Sequence, residues 1–301
     1  MKLRIGARGS PLSLAQTELI AAALRLDAEV EIIPISTTGD RLSNLQAGMT
    51  GKDLFTHEID EALLDGRIDV GVHSLKDLPS RLPEGLVLAA VPQREDPRDV
   101  LVSRHRRSLE SLPRGARVGT SSARRRAQIL SSRPDAAVLD ARGNVDTRIR
   151  RLNEGRWDAI VLARAGLARL GRLHEATEVL PVSVMLPAIG QGALAVVARE
   201  DDSEVRERIA QLDHPASHRE AVAERALLEL LEAGCRAPVA GLARARDGAL
   251  RLDGAVFAPD GSRTLREEAS GMESDPAALG REVASRLLER GAAQLIERAR
   301  S

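Results

Sequence analysis

Tyrosine is absent from this chain of 301 residues, which has only two phenylalanines and one tryptophan. Single-stranded nucleic-acid binders stack bases on such rings, so that class is disfavoured and the cores must be aliphatic. An excess of one charge is also missing, with 44 Lys and Arg against 44 Asp and Glu. A balanced chain has no general pull toward nucleic acid or an anionic membrane, and any anion binding must come from local clusters. The single cysteine, Cys235, cannot form an internal disulfide and suits a reducing compartment. No stretch approaches the roughly 20 apolar residues of a membrane span. Arg4 and Arg8 interrupt the first residues, so no signal peptide is legible there. The expectation is a cytoplasmic monomer without a membrane or nucleic-acid partner and without a metal.

What is present is a chain long enough for two or three domains. Its most informative stretch runs from Ile68 to Pro79, I-D-V-G-V-H-S-L-K-D-L-P. The apolar alternation through Val70 and Val72 predicts a buried strand that opens into a polar loop closed by proline. In open α/β sheets ligands lie beyond the carboxyl ends of the strands, which puts Ser74, Lys76 and Asp77 at a candidate site. Taken alone, Asp77 is better explained by a local turn or a pairing with Lys76, and other parts of the chain must overturn that reading.

Read in order, Lys2 to Ala7 is a first strand, and Ser10-Pro11 caps a helix through about Leu26. Free N–H groups at that helix start, beside Arg8, could receive a carboxylate. A strand over Val30 to Ser36 leads to a polar stretch, Thr37 to Lys52, that is either a disordered connection or a lid, and Lys52 and Phe55 at its exit favour the lid. A helix from Phe55 to Asp65, the Ile68 strand and another near Leu86 to Val91 complete an α/β unit. Pro92 to Arg98 reads as a crossing. A second unit then repeats the pattern: strand Ala116 to Gly119, the hydroxyl-rich start Thr120-Ser121-Ser122, and Arg124 to Arg126. Hydroxyls and arginines at a helix start form an anion site, although most charge runs are solvated faces. Another strand, Ala136 to Leu139, is followed by Arg142-Gly143-Asn144-Val145-Asp146-Thr147-Arg148, and Asp158 to Ala163 by a helix containing Arg169. The glycine-rich turn at Gly190-Gln191-Gly192 is a second crossing back to the first unit. Ser217 to Glu220 reads as a capping box for a helix ending at Gly234. Turns at Asp247-Gly248 and Asp260-Gly261 separate three strands, and Asp275-Pro276 starts a last helix. The arginines at several strand-to-helix junctions imply a small polyanionic ligand, because guanidinium binds carboxylates in a bidentate way and stays charged.

The segments A-R-G-S-P-L-S-L-A-Q, G-K-D-L-F, V-H-S-L-K-D-L-P, R-E-D-P-R-D, V-G-T-S-S-A-R-R-R, R-G-N-V-D-T-R, L-P-A-I-G-Q-G-A and G-C-R-A-P-V resemble the hydroxymethylbilane synthase (porphobilinogen deaminase) family, in that family's order. The resemblance implies an α/β fold with two domains like those of type II periplasmic binding proteins, joined by two crossings. The first spans 1–92 and 193–212 and the second 98–187, and a small C-terminal α+β domain spans 215–301. It further implies a dipyrromethane cofactor linked by a thioether to Cys235, porphobilinogen as substrate, and Asp77 as the catalytic carboxylate. Ser74, Lys76, Thr120, Ser121, Ser122, Arg124, Arg125, Arg142 and Gly143 would bind the cofactor. Arg8, Ser10, Lys52, Phe55, Arg148, Arg169 and Gln191 would serve the substrate and growing chain. Gly48 stands where some members have a second lid lysine, and Thr50 and Asp53 replace glycines beside Lys52. The rival reading from another class is a solute-binding protein for polyanions, since the same fold and arginines would serve reversible capture.

Overall fold

The computed structural model of the protein describes residues 2–38, 53–233 and 237–300. Two compact units result, Met1–Glu95 with Ala193–Ala221, and Asp96–Gly192 with Val222–Ser301. Among the described residues no helix is long and apolar enough to cross a membrane.

The first unit begins with β1 (Lys2–Arg8) and α1 (Pro11–Leu24). Ser10 caps α1 by accepting from the Ser13 N–H at 3.3 Å, and Pro11 takes the first helical position, where its missing N–H costs nothing. β2 (Glu29–Ile35), α2 (Asp53–Leu64) and β3 (Val70–Ser74) follow. The chain leaves β3 through a single 3-10 turn, Leu75–Asp77, and returns as β4 (Leu86–Ala90). Arg4 clamps the approach to β3, its Nε and Nη2 donating to the Asp69 carboxylate at 3.0 and 2.6 Å.

The second unit opens with β5 (Asp99–Ser103), a strand that the proline-rich crossing before it concealed in the sequence and that is buried along its whole length. Then come β6 (Arg117–Gly119), α3 (Ala123–Ser132), β7 (Ala137–Leu139), α4 (Val145–Asn153), β8 (Ala159–Ala163), α5 (Arg164–Arg169) and the two-residue β9 (Glu178–Val179). Ser122 and Asn144 cap α3 and α4 by accepting from the N–H groups of Arg125 and Thr147. β6 is parallel to β7 and β8, while β5 is antiparallel to β8 and β9, giving the order β7-β6-β8-β5-β9.

The chain next supplies β10 (Leu194–Arg199) and α6 (Ser203–Ala210). β10 lies antiparallel between β3 and β4, so the first unit's sheet has the order β2-β1-β3-β10-β4 with β1 parallel to β2 and β3. Both sheets therefore share one plan: three parallel strands, then an antiparallel strand, then an edge. This is the repeated α/β arrangement expected of units like type II periplasmic binding proteins. Apolar residues cover both faces of each sheet, as sheets with helices on both sides require.

The last stretch has its own sheet and core. α7 runs over Pro215–Leu230, starting two residues before Ser217. The capping box expected at Ser217 is thus a misreading. The His214 ring accepts from the Ser217 N–H, the Ser217 hydroxyl accepts from the Arg94 N–H at 2.9 Å, and Glu220 pairs with Arg94 at 3.2 Å. Proline at the helix start and a ring nitrogen ahead of it do what the Ser-x-x-Glu pattern was expected to do. α7 also ends earlier than Gly234, with Glu232 already in the left-handed region at φ 47°. β11 (Val239–Arg246), β12 (Ala249–Phe257) and β13 (Thr264–Met272) form an antiparallel meander. Asp247 and Gly248, with φ of 54° and 79°, make the tight turn between the first two, and their positive φ suits the right-handed strand twist. Asp275 caps α8 (Pro276–Glu289), and α9 (Ala292–Arg300) ends the chain. Leu227, Leu250, Leu252, Val256, Val283 and Leu287 are fully buried between these helices and the sheet.

Candidate functional site

In the first unit a cavity lies at the carboxyl ends of β1 and β3. Arg8, Ser10, His73, Ser74 and Asp77 line it. The fold puts them there for simple reasons. β1 ends at Arg8 and turns into the cap of α1, and β3 ends at Ser74, where one 3-10 turn presents Asp77. Leu75 and Leu78 on either side of that turn are buried, and they anchor the half-exposed Lys76 and Asp77 at the rim. Gln16 and His73 also belong to this wall, and the sequence reading assigned neither of them. The Gln16 amide donates to the Ser74 hydroxyl at 2.9 Å, with the second amide atom 3.2 Å away, and so fixes that side chain. A buried polar residue on the inner face of α1 was the available signal.

His73 is buried, and its Nε2 has no hydrogen-bond partner. Burial lowers the imidazole to about 4, with a smaller upward pull from Asp77 and a further downward push from Arg8. The ring next to Asp77 is therefore neutral at neutral pH.

In the second unit the structure gathers three of the expected ligand-binding residues around one carboxylate. Asp99, at the start of β5, is fully buried. Its oxygens lie 2.8 Å from Arg124 Nη2 and 2.7 Å from Arg125 Nη2. Arg125 Nε and Gln191 Nε2 each donate to it at 3.0 Å. Both arginines are buried, and they continue to backbone carbonyls, Arg124 Nη1 to Leu186 at 2.6 Å and Arg125 Nη1 to Val161 at 3.1 Å. Burial alone would raise the Asp99 carboxyl. The guanidinium groups of Arg124 and Arg125, then the Gln191 amide, outweigh it and hold it below the usual range. Two cations against one anion leave one positive charge inside the protein. Their place in the first turn of α3 is also the end of a helix that favours anions. The Arg124 Nε has no hydrogen-bond partner. Asp99 escaped the sequence reading, whose only hint was an acid ahead of the short apolar run Val100-Leu101-Val102.

The remaining expected residues are placed as follows. The Thr120, Ser121 and Ser122 hydroxyls accept from the N–H groups of Ser122, Ala141 and Arg125, which leaves their O–H groups to donate. Arg142 is exposed, with Nε 3.5 Å from Asp140, and Gly143 has a φ of 104° that favours glycine. Arg148 is half-buried on α4, and Arg169 closes α5 with its Nη2 donating to Gly192 at 2.5 Å. Lys52 and Cys235 lie outside the described residues, as does the expected lid from residue 39 onward, and Phe55 falls in α2 with its side chain likewise outside them. Among the described residues no group of His, Cys, Asp and Glu could hold a metal ion. The arginines of the second unit can bind carboxylates, and Asp77 in the first unit can stabilise a cation, with a neutral imidazole beside it.

Comparison with known proteins agrees with that chemistry. The family model for the porphobilinogen deaminase dipyromethane cofactor binding domain matches residues 3–207, and the model for the porphobilinogen deaminase C-terminal domain matches residues 218–289. The porphobilinogen deaminase of Rubrobacter xylanophilus is 51% identical, covering 98% of this chain and 96% of that protein. That of Desulforudis audaxviator is 48% identical over 99% and 97% of the two chains. Among solved structures, a Salmonella typhimurium periplasmic binding protein with high arginine specificity aligns at a TM-score of 0.42 and 13% identity, covering 70% of this chain and 91% of that one. Two family models laid end to end, and identity near one half along almost the whole length, leave one assignment: the chain belongs to the porphobilinogen deaminase (hydroxymethylbilane synthase) family and is a transferase.

Proposed function

We propose that the chain joins four porphobilinogen molecules head to tail, releasing ammonia at each step, and then frees the linear tetrapyrrole by hydrolysis. The observation that carries this reading is the cavity at the end of β3, where one carboxylate, Asp77, shares a wall with Arg8, Ser10 and Ser74. Losing ammonia from an aminomethylpyrrole leaves a cation, and a carboxylate held beside it stabilises that charge. Arg8 and Ser10, at the start of α1, suit a substrate carboxylate.

Cys235 holds a dipyrromethane through a thioether in this reading. When bound, that group supplies the primer end to which the pyrrole units are joined. Its carboxylates suit a buried arginine pair with one uncompensated positive charge and an Nε without an acceptor. Arg124, Arg125, Thr120, Ser121, Ser122, Arg142, Gly143, Ser74 and Lys76 would hold them, with Arg148, Arg169, Gln191, Lys52 and Phe55 serving the incoming unit. Burial explains the choice of arginine, which stays charged where lysine would lose its proton. We also assign a division into 1–92 with 193–212, 98–187 and 215–301, supported by the tail's own sheet and core. A monomer in the reducing cytoplasm suits a single cysteine that must keep its thiol for attachment.

An intact-mass measurement of the purified protein tests the reading. The wild-type chain should carry an addition of two pyrrole units that disappears in Cys235→Ser. An unmodified wild-type chain, purified from a host that makes porphobilinogen, would refute it.

A further inference from the structure

β3 brings a further polar side chain to the cavity that holds Asp77. His73 lines that cavity and is 5% exposed. Its Nε2 lies on the inner side of the ring, fully buried and without a hydrogen-bond partner. Gly71, two residues earlier on the same face of the strand, makes room for that side of the ring. A Cβ added to Gly71 would lie 3.1 Å from His73 Nε2 and equally close to the side chains of Ile59 and Leu63 on α2. The nitrogen turned to the cavity is therefore Nδ1. A neutral imidazole has one N–H, and what each nitrogen can reach decides which of them carries it. An N–H at Nε2 would be an orphaned donor among apolar side chains, a rarer defect than an unused acceptor, so the proton belongs on Nδ1. We propose that His73 is a substrate-contacting residue whose Nδ1–H donates to one of the two side-chain carboxylates of porphobilinogen bound in this cavity.

The inference rests on the reading that porphobilinogen reacts at Asp77, and deepens it by naming a residue that selects the substrate. Porphobilinogen brings an acetate and a propionate, whereas among the described residues lining the cavity Arg8 is the one cation. Arg8 with Ser10 suits one carboxylate. The other needs a donor that adds no positive charge, because a second cation would compensate Asp77 and weaken its hold on the cationic intermediate. An imidazole kept neutral by burial meets that condition, and a lysine or arginine in its place would not. The Ser74 hydroxyl, the neighbouring polar group on β3, is engaged by Gln16.

Steady-state kinetics of the full, cofactor-loaded chain test it. His73→Leu fills much of the ring's volume without a donor, and KM for porphobilinogen should rise about tenfold with kcat changed less, the pattern of a lost binding contact. His73→Asn, whose amide N–H stands in for Nδ1–H, should recover most of that loss, and His73→Gln, which reaches toward the Nε2 position, should not. Two competing analogues locate the contact, one with methyl in place of the acetate and one with ethyl in place of the propionate. His73→Leu should weaken the binding of only one of them. In histidine-labelled protein, the His73 ¹⁵N signals, identified by their loss in His73→Asn, should show the proton on Nδ1. An unchanged KM in His73→Leu, equal behaviour of the Leu and Asn variants, weakening of both analogues alike, or a proton on Nε2 would overturn the proposal. If His73→Leu does not fold, the tautomer and the contrast between Asn and Gln decide it. Failure here is separable from failure of the functional reading. A wild-type chain that consumes porphobilinogen while any of these results holds refutes only the present inference, and one that does not consume it refutes the reading beneath.

Discussion

At Asp77 the question is what else in its cavity can carry charge. His73, the adjacent titratable side chain on β3, is kept neutral by burial, so it does not compensate the carboxylate. Asp77→Asn keeps the shape of the side chain and removes its charge. Turnover should fall by a factor on the order of 10² to 10⁴, the usual range for a charge or proton-transfer group lost from a site. The two-pyrrole addition should persist in intact mass, and near-normal turnover would remove Asp77 from the mechanism. His73 makes a separate prediction. Above about pH 6.5 the ring is neutral both folded and unfolded, and its burial costs no proton. As the pH falls, the unfolded chain takes up a proton near 6.5 while the folded chain resists until about 4, so stability is lost across that window and levels off below it. The shift corresponds to at most about 3 kcal/mol. Denaturant unfolding of His73→Gln across the window should show a shallower acid slope than wild type, and superimposable slopes would refute the assignment.

Elements that depend on neighbouring residues were legible, and those that depend on distant ones were not. Ser10-Pro11 and Asp275-Pro276 start helices because cap and proline act within one turn, and Asp247-Gly248 makes its hairpin because positive φ is a local demand. β5 was missed because five residues behind a proline-rich crossing carry no period, and its burial comes from β8 and β9. Gly280 shows the same limit. On sequence it only weakens α8, and alanine should gain about 1 kcal/mol by helix propensity. In the fold an added Cβ would lie 2.3 Å from the Ala223 carbonyl oxygen and 2.7 Å from the Ala226 Cβ on α7. Backbone cannot yield cheaply there, and overpacking of this kind typically costs about 1–3 kcal/mol. Gly280→Ala should therefore destabilise the protein in thermal or urea unfolding. A gain in stability would mean that the two helices can move apart at little cost. Asp275→Ala serves as the companion measurement, with a loss of about 1 kcal/mol from the cap alone.

For the molecule as a whole, the repeated sheet plan and the residues around Asp77 followed from the sequence because strand ends in such sheets collect ligands wherever the chain brings them. The charged cluster of the second unit was legible only in half. Arg124 and Arg125 were visible as a cluster, but their counter-charge lies 25 residues earlier in the chain at Asp99, and no local pattern ties the two. In the proposed reading this buried pair also links cofactor loading to stability. A chain without its pyrrole addition keeps an uncompensated charge and an unsatisfied Arg124 Nε in the second unit. A ligand that binds only the folded state stabilises it, and a covalently tethered one does so at high effective concentration. Charge-assisted hydrogen bonds contribute about 1.5–3 kcal/mol each, and 1 kcal/mol moves a midpoint by about 2–4 °C in a chain of this order of size. Cys235→Ser should therefore melt at least about 3 °C below the loaded wild-type protein. The gap should shrink in the Arg124→Gln background, where the site is already neutral, and equal melting of all four chains would show that the addition does not engage the arginine pair.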